Sequence, residues 1–405
     1  MSSLTLNAAV RTALTRSERA EEAELDVETA EAGVSKARAA FLPSVTLGAN
    51  ETLRPFPLKQ GNKVLLRSNA AGGTLSLNQP LFVATAFPLY ASAKHNLDAA
   101  RFGQTDQRRQ LSFDAARGFF SVVTAERVLS AAQSRLELAH ATLDDTRARA
   151  QAGLVSSNDV TRSELELAGA EQSVASANAS LESTRYNLEY LLATPVDGEL
   201  RAPDNSLAPA DLTVTGLVNL AISTRPDLAS LRSAAAAAAA SADEPGLRFV
   251  PTLNASAQER VADTPIAGNR YLDTTVVINF NWQIWDGGVR GADADSRNAA
   301  AMTATLQHRA LLRRVQADVH VALSELTGAR AAWQAAQRGF DAAKRSEEET
   351  NVLYKQGLAK AIELLDGNSS RFDAEVALAA AELALRQAEL DMRAALGLFP
   401  VDGVS

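Results

Sequence analysis

Four segments of this chain, 88–151, 157–193, 290–355 and 360–396, read as unbroken helix, and their length constrains the fold more than any other feature. At ~1.5 Å per residue, segment 88–151 alone would span ~96 Å, several times an ordinary globular helix. Its apolar pattern is a heptad of alternating sizes. Val122, Leu129, Leu136 and Leu143 recur every seven residues, each followed three positions later by Ala125, Ala132, Ala139 or Thr146. In 290–355 the large positions are Leu326, Trp333 and Phe340, with Ala329, Ala336 and Ala343 following. Segment 157–193 carries Val160, Leu167, Val174, Leu181 and Leu188. Its counterpart carries Leu364, Leu378, Leu385 and Met392, with Arg371 breaking the set. A sevenfold repeat of this kind predicts coiled-coil packing, and the small residues let helices approach closely.

The segments come in pairs because the chain is written twice. Thr15-Arg16-Ser17-Glu18 is echoed by Thr224-Arg225-Pro226-Asp227, Phe41-Leu42-Pro43 by Phe249-Val250-Pro251, and Leu77-Asn78 by Phe280-Asn281. Leu4-Thr5-Leu6 is echoed by Leu212-Thr213-Val214, Gly153-Leu154 by Gly357-Leu358, and Pro195-Val196-Asp197-Gly198 by Pro400-Val401-Asp402-Gly403. The echoes keep their order at offsets near 200 residues, so two structural repeats are expected, 1–205 and 206–405. Each begins with an Ala-rich helix, about 6–40 and 215–245, which stops at the Phe-x-Pro signal. Two strands follow in each, expected at about 44–54 and 73–83, then at 251–261 and 272–285. In the last, Val276, Ile278, Phe280 and Trp282 alternate with Thr275, Asn279, Asn281 and Gln283.

Composition removes several function classes. Among 405 residues there is no cysteine, so disulfides, thiolate metal sites and cysteine nucleophiles are absent. A net charge of −8 argues against a nucleic-acid partner. His95, His140, His308 and His320 lack metal-ligand spacing, and Asp286-Gly287-Gly288 with Asp293 and Asp295 lacks that of a calcium loop. No catalytic residue, metal or cofactor is expected. No apolar run reaches the ~18 residues of a spanning helix. The chain opens Met1-Ser2-Ser3-Leu4 with neither a basic n-region nor an apolar h-region, so no signal peptide is expected in it, nor, without an N-terminal Cys, a lipid anchor. The strands nevertheless have the length and alternation of transmembrane β-strands. Four cannot close a barrel and would leave edges exposed, whereas three copies supply twelve. An oligomer is expected.

The order helix, Phe-x-Pro, strand, strand, long helix, Gly-Leu hairpin, helix, given twice, resembles the TolC-like outer-membrane efflux protein family. The residues that carry the resemblance are Phe41-Leu42-Pro43-Ser44, Ala152-Gly153-Leu154-Val155-Ser156, Trp285-Asp286-Gly287-Gly288-Val289-Arg290, Tyr354-Lys355-Gln356-Gly357-Leu358 and Ile362-Glu363-Leu364-Leu365-Asp366. The resemblance implies a mainly α protein with membrane β-structure: a homotrimer whose long coiled-coil helices form an α-barrel below a twelve-stranded outer-membrane β-barrel. It implies a passive exit duct in the outer membrane of a Gram-negative bacterium, extending through the periplasm and serving a tripartite efflux pump or type I secretion system. Its partners would be a periplasmic adaptor, an inner-membrane transporter and outer-membrane lipid.

The same resemblance assigns residues. Gly153, Leu154, Gly357 and Leu358 would form adaptor-docking hairpins at the periplasmic tips. Tyr354, Asn158 and Asp159 would lock the gate, although Asn158 and Asp159 also suit a helix start. Glu363 and Asp366, three apart on one helix face, would form two acidic rings of a cation filter. Where the family has an arginine just past the second hairpin, this chain has Ala359 followed by Lys360, which implies a differently wired latch. The competing class is a soluble coiled-coil periplasmic adaptor or scaffold, which would have no use for two amphipathic hairpins of transmembrane length.

Overall fold

The structure, a computed structural model, describes residues 4–403 apart from 62, 199, 204–206, 208–212 and 267–269. The expected repeat boundary at 205/206 and the echo residue Leu212 therefore lie outside the described residues. In chain order the elements are β1 (Leu4–Thr5), α1 (Leu6–Arg16), α2 (Glu18–Ala39), β2 (Ser44–Leu53), β3 (Leu58–Gln60), β4 (Lys63–Leu66), β5 (Asn69–Phe82), α3 (Ala86–Gln151) and α4 (Ser157–Leu192). After these come β6 (Leu200–Arg201), α5 (Val214–Thr224), α6 (Pro226–Ala242), α7 (Glu244–Leu247), β7 (Thr252–Ile266), β8 (Arg270–Asn281), α8 (Val289–Lys355) and α9 (Ala361–Ala395). The protein is mainly helical, and among the described residues the one sheet of more than two strands is antiparallel.

Two compact units share these elements, each drawing residues from both halves of the sequence. The first comprises residues up to 24, 103–228 and 311 onward. Its core joins Leu6, Val10 and Leu14 of α1 to Leu111, Phe119 and Val122 of α3, Leu188 and Leu192 of α4 and Leu390 of α9. A neighbouring cluster joins Leu217 of α5 to Val315, Val319 and Leu326 of α8 and Met392 of α9. The small heptad partners Ala125, Ala132, Ala139 and Thr146 are all buried, while Leu129 and Leu136 are only half-buried. Arginines tie α3 to α9 across this unit: Arg117 to Asp391 at 2.6 Å, and Arg127 to Glu382. Arg135 pairs with Glu166 of α4 at 2.8 Å and stacks on Phe372 of α9 at 4.8 Å.

Each helix expected to be continuous before the strands is broken at the echoed Thr-Arg motif. At Ser17 and Arg225 the backbone turns extended (ψ 134° and 117°), and each cap N–H bonds back to the carbonyl of Ala13 or Ala221. Pro226, with no N–H to donate, then starts α6. Arg225 is clamped between Asp227 (2.6 Å) and Asp318 (3.0 Å). Directly against its backbone lies Gly397, at φ +73°, where an added Cβ would sit 2.8 Å from both the nitrogen and the Cα of Arg225. Gly397→Ala should thus combine the left-handed penalty of ~1–2 kcal/mol with a backbone clash. It is expected to destabilise by ~3 kcal/mol or more, read as a lowered thermal midpoint. Gly403→Ala, at φ +76° with nothing within 4 Å of the added carbon, should cost only the first part.

The second unit, residues 25–102 and 229–310, holds the four-stranded sheet in the order β2-β5-β7-β8. β5 and β7 begin or end outside the expected limits, and β8 stops at Asn281, leaving Trp282–Trp285 without a ladder partner. The indole of Trp282 instead donates to the Phe249 carbonyl at 3.0 Å. Between the end of β8 and α8 the chain turns on Asp286, which accepts from the Gly288 N–H (3.1 Å), the Arg290 N–H (3.0 Å) and Arg290 Nε (2.8 Å). Desolvation opposes the Asp286 charge, but these donors outweigh it and hold the carboxyl below its ordinary range. Arg290, buried, also stacks on Phe249 at 4.1 Å. The aspartate thus has a structural role, as a strand-to-helix turn. The stretch 54–70, between the two strands expected in the first repeat, contains the short antiparallel hairpin β3–β4.

Candidate functional site

Two places in the molecule have a chemistry that packing alone leaves unexplained. The first is the sheet. Its register, Val45↔Leu77↔Ala257↔Val276 and Leu253↔Phe280, gathers apolar side chains on one face. Val45 is 67% exposed, Leu47 80%, Ile278 67% and Phe280 65%. The register Asn78↔Ser256 and Ser76↔Gln258↔Thr275 gathers amides and hydroxyls on the opposite face, together with Thr46, Asn50 and Arg260. Acidic breaks on the apolar face occur at Glu51 and Glu259, the latter accepting from the Thr274 hydroxyl at 2.6 Å. The outer strands of this order, β2 and β8, each have one unpaired edge among the described residues.

The second place is the pair of helix hairpins in the other unit. The α3–α4 hairpin turns at Gly153 (φ +74°), with the Leu154 N–H bonded to the Arg149 carbonyl at 2.9 Å. The α8–α9 hairpin turns at Gly357 (φ +77°), with Leu358 N–H bonded to the Leu353 carbonyl at 2.8 Å. Both are left-handed glycine caps, which a Cβ would strain. They leave Leu154 and Leu358 projecting, 74% and 73% exposed.

The next helix starts differ from the expected N-caps. Ser156 caps α4, and Asp159 completes a capping box, accepting from the Ser156 hydroxyl (2.8 Å) and N–H (3.0 Å). The Ser156 side-chain bond, then its backbone bond, holds the Asp159 carboxyl below its ordinary pKa. Asn158 is exposed. Glu363 stands in the same place on α9, its carboxylate accepting from the Lys360 N–H at 3.0 Å. An acid at 363 is therefore accounted for by helix capping, as at 159. Among the described residues Asp366 has no such partner; its counterpart in the first hairpin is Arg162. Glu363 and Asp366 are both exposed on one face of α9, while Ala361, Leu364, Leu365 and Asn368 are buried on the other.

The structure does not join Tyr354 to Asn158 or Asp159. Tyr354, 4% exposed, lies under the Arg149 guanidinium, 4.4 Å from the ring centre. Arg149 also pairs with Asp145 at 2.8 Å and donates a long bond (3.5 Å) to the Tyr354 carbonyl. Burial pushes the phenol pKa up, Thr146 and Asp145 act in opposite directions, and the group is neutral at ordinary pH. Its hydroxyl lies near Thr146 and Asp145 without a well-formed bond to either. Beside it opens a cleft of about 280 Å³, lined by Thr142, Asp145, Glu347, Asn351 and Asn368. Sequence reasoning missed Arg149. The available signal was a base in the last turn of a helix, four residues before the hairpin glycine.

Comparison with known proteins places this geometry. The chain is 24% identical over 389 residues to outer membrane protein TolC of Escherichia coli (strain K12), covering 90% of this chain and 76% of that one. Its fold matches the CmeC outer membrane channel of Campylobacter jejuni with TM-score 0.83 at 17% identity, covering 97% of this chain and 85% of the other. It matches outer membrane protein VceC of Vibrio cholerae with TM-score 0.81 at 18% identity, covering 98% and 97%. The sequence pattern of the outer membrane efflux protein family fits residues 9–194 and 217–398. This chain belongs to the outer membrane efflux protein family.

Proposed function

We propose that this protein is the exit duct of a tripartite efflux pump or type I secretion system, a passive, non-enzymatic homotrimer of Gram-negative outer membranes. The observation that carries the reading is the sheet: one face of exposed Val, Leu, Ile and Phe, the other of amides and hydroxyls, with both outer edges open. A soluble monomer rarely leaves so wide an apolar face and two strand edges uncovered. Three sheets joined β2 to β8 would form a twelve-stranded barrel with no edge, apolar toward lipid and polar toward a water-filled lumen. A soluble adaptor would expose that face to water, which disfavours the competing reading.

In this duct the two repeats, 1–205 and 206–405, each supply one strand hairpin and one helix hairpin. The long helices form the periplasmic tunnel. Gly153, Leu154, Gly357 and Leu358 present the docking tips to a periplasmic adaptor, through which the duct meets an inner-membrane transporter. Tyr354 closes the aperture with Arg149 as its partner, while Asn158 and Asp159 set the start of α4 beside it. Glu363 and Asp366 form the acidic rings, with Asp366 free of any capping duty. Planar-bilayer recording of the purified trimer tests the reading: discrete single-channel steps are expected, and a protein that inserts no conducting pore would overturn it.

A further inference from the structure

We propose that the β3–β4 hairpin is a lipid-binding tongue that docks on phosphorylated lipid headgroups of the outer leaflet. The inference rests on the duct reading and extends it to a surface that reading does not use. Fourteen residues, Arg54–Arg67, contain Arg54, Lys59, Lys63 and Arg67 and no carboxylate, in a chain whose net charge is −8. Around the β7–β8 turn the sequence is balanced by comparison, with one acid, Asp263, and one base, Arg270.

The backbone places the segment that carries these residues at one end of the sheet. β2 and β5 pair from Ser44↔Asn78, beside the helices, to Leu53↔Asn69, and the hairpin continues past that last pair. Its base is fastened by the Arg54 N–H to the Ser68 carbonyl at 2.6 Å and by Arg54 Nη1 to the Arg67 carbonyl at 3.1 Å. β3 and β4 then pair through Lys59↔Val64 and Gln60↔Lys63, with Gly61 at φ +59° in the turn. Lys59 and Arg67 are exposed. So are apolar groups: Phe56 at 83%, Leu58 at 54% and Val64 at 47%. In the duct, the helix-bearing end of the sheet faces the periplasm, so the hairpin stands at the outer surface. Each arm can reach at most about 25 Å, enough to fold back onto the headgroup layer. Cations flanked by exposed apolar side chains suit the boundary between anionic headgroups and acyl chains. A hairpin meant only for water would have no use for Phe56 and Leu58.

The test uses the full-length trimer in detergent, titrated with fluorescent diphosphoryl lipid A or with its phosphate-free counterpart. Wild type should bind the phosphorylated lipid more tightly, and 0.5 M NaCl should erase the difference. Each basic side chain near an anionic surface contributes about a fivefold factor in affinity. Lys59→Gln/Arg67→Gln should thus weaken binding of the phosphorylated lipid by about 25-fold and leave the phosphate-free lipid unaffected. Phe56→Ser should weaken both lipids. All variants are first recorded in bilayers. If they conduct like wild type yet bind the phosphorylated lipid equally well, or if wild type shows no preference for phosphate, the tongue is refuted and the duct stands. If wild type forms no pore, the duct reading and the inference fall together.

Discussion

Neutralising the acidic pair as Glu363→Gln/Asp366→Asn is expected to lower the cation-over-anion permeability ratio of the reconstituted pore by at least ~10-fold at low salt. Even at the dielectric of water, a carboxylate ~4 Å from a passing ion contributes ~1 kcal/mol, and a trimer carries six of them. The amide at 363 keeps an oxygen for the Lys360 N–H, so the helix start survives and the change reports charge alone. Because Asp159 and Glu363 share the capping position, the single variants should separate the roles: Asp366→Asn carries most of the selectivity loss. Near 1 M salt the Debye length falls to ~3 Å, and wild type and variant should converge. A permeability ratio that stays at the wild-type value in the double variant at low salt sinks the filter assignment while leaving the duct intact.

The second large effect concerns the aperture. Arg149 lies in the last turn of α3 and Tyr354 in the last turn of α8, so their stack ties the ends of two different hairpins. Moving α8 and α9 away from α3 must break it. A partly buried cation–π contact of this kind contributes ~1 kcal/mol, or ~3 kcal/mol over three protomers. Arg149→Ala should therefore raise the ratio of open to closed channels by about two orders of magnitude, read as open probability in single-channel records. Arg149→Lys keeps a charge near Asp145 but loses the planar stack, and should fall between the two. Closed-state dwell times that do not shorten in Arg149→Ala would assign the closed state to other contacts. Asp159→Ala, which removes a capping box rather than a tie to Tyr354, should instead weaken the α4 start with little change in open probability.

Much of the architecture could be read from residues one at a time. The heptads of α3, with Ala125, Ala132 and Ala139 all buried, announced close helix packing because a small side chain every seven residues can face only one way. The alternation through Val276, Ile278 and Phe280 announced a two-faced strand because its period is two. Gly153 and Gly357 announced hairpins because only glycine takes φ near +75° without strain. The breaks at Ser17 and Arg225 were less visible, even though the motifs around them echo one another. A helix can run through Thr-Arg-Ser, so nothing local announced the break at Ser17, whereas Pro226 does carry a signal, since a proline pushes the residue before it out of the helical region. β3 and β4 were hidden for a similar reason, since strands of three or four residues among Pro and Gly carry no period to detect.

By itself, then, the sequence determined the long helices, the four strands of the main sheet and the family, all of which depend on periodicity and short local motifs. Only the tertiary structure decided partners. It put Arg149 on the Tyr354 ring and set Gly397 against Arg225, contacts between residues 205 and 172 positions apart. It also showed that Glu363 has a capping role and Asp366 has none, a distinction that two carboxylates one helical turn apart cannot reveal in a string of letters. The physical reason is range: backbone preference and side-chain period act within a turn or two, whereas charge pairing and stacking depend on which helix ends lie side by side.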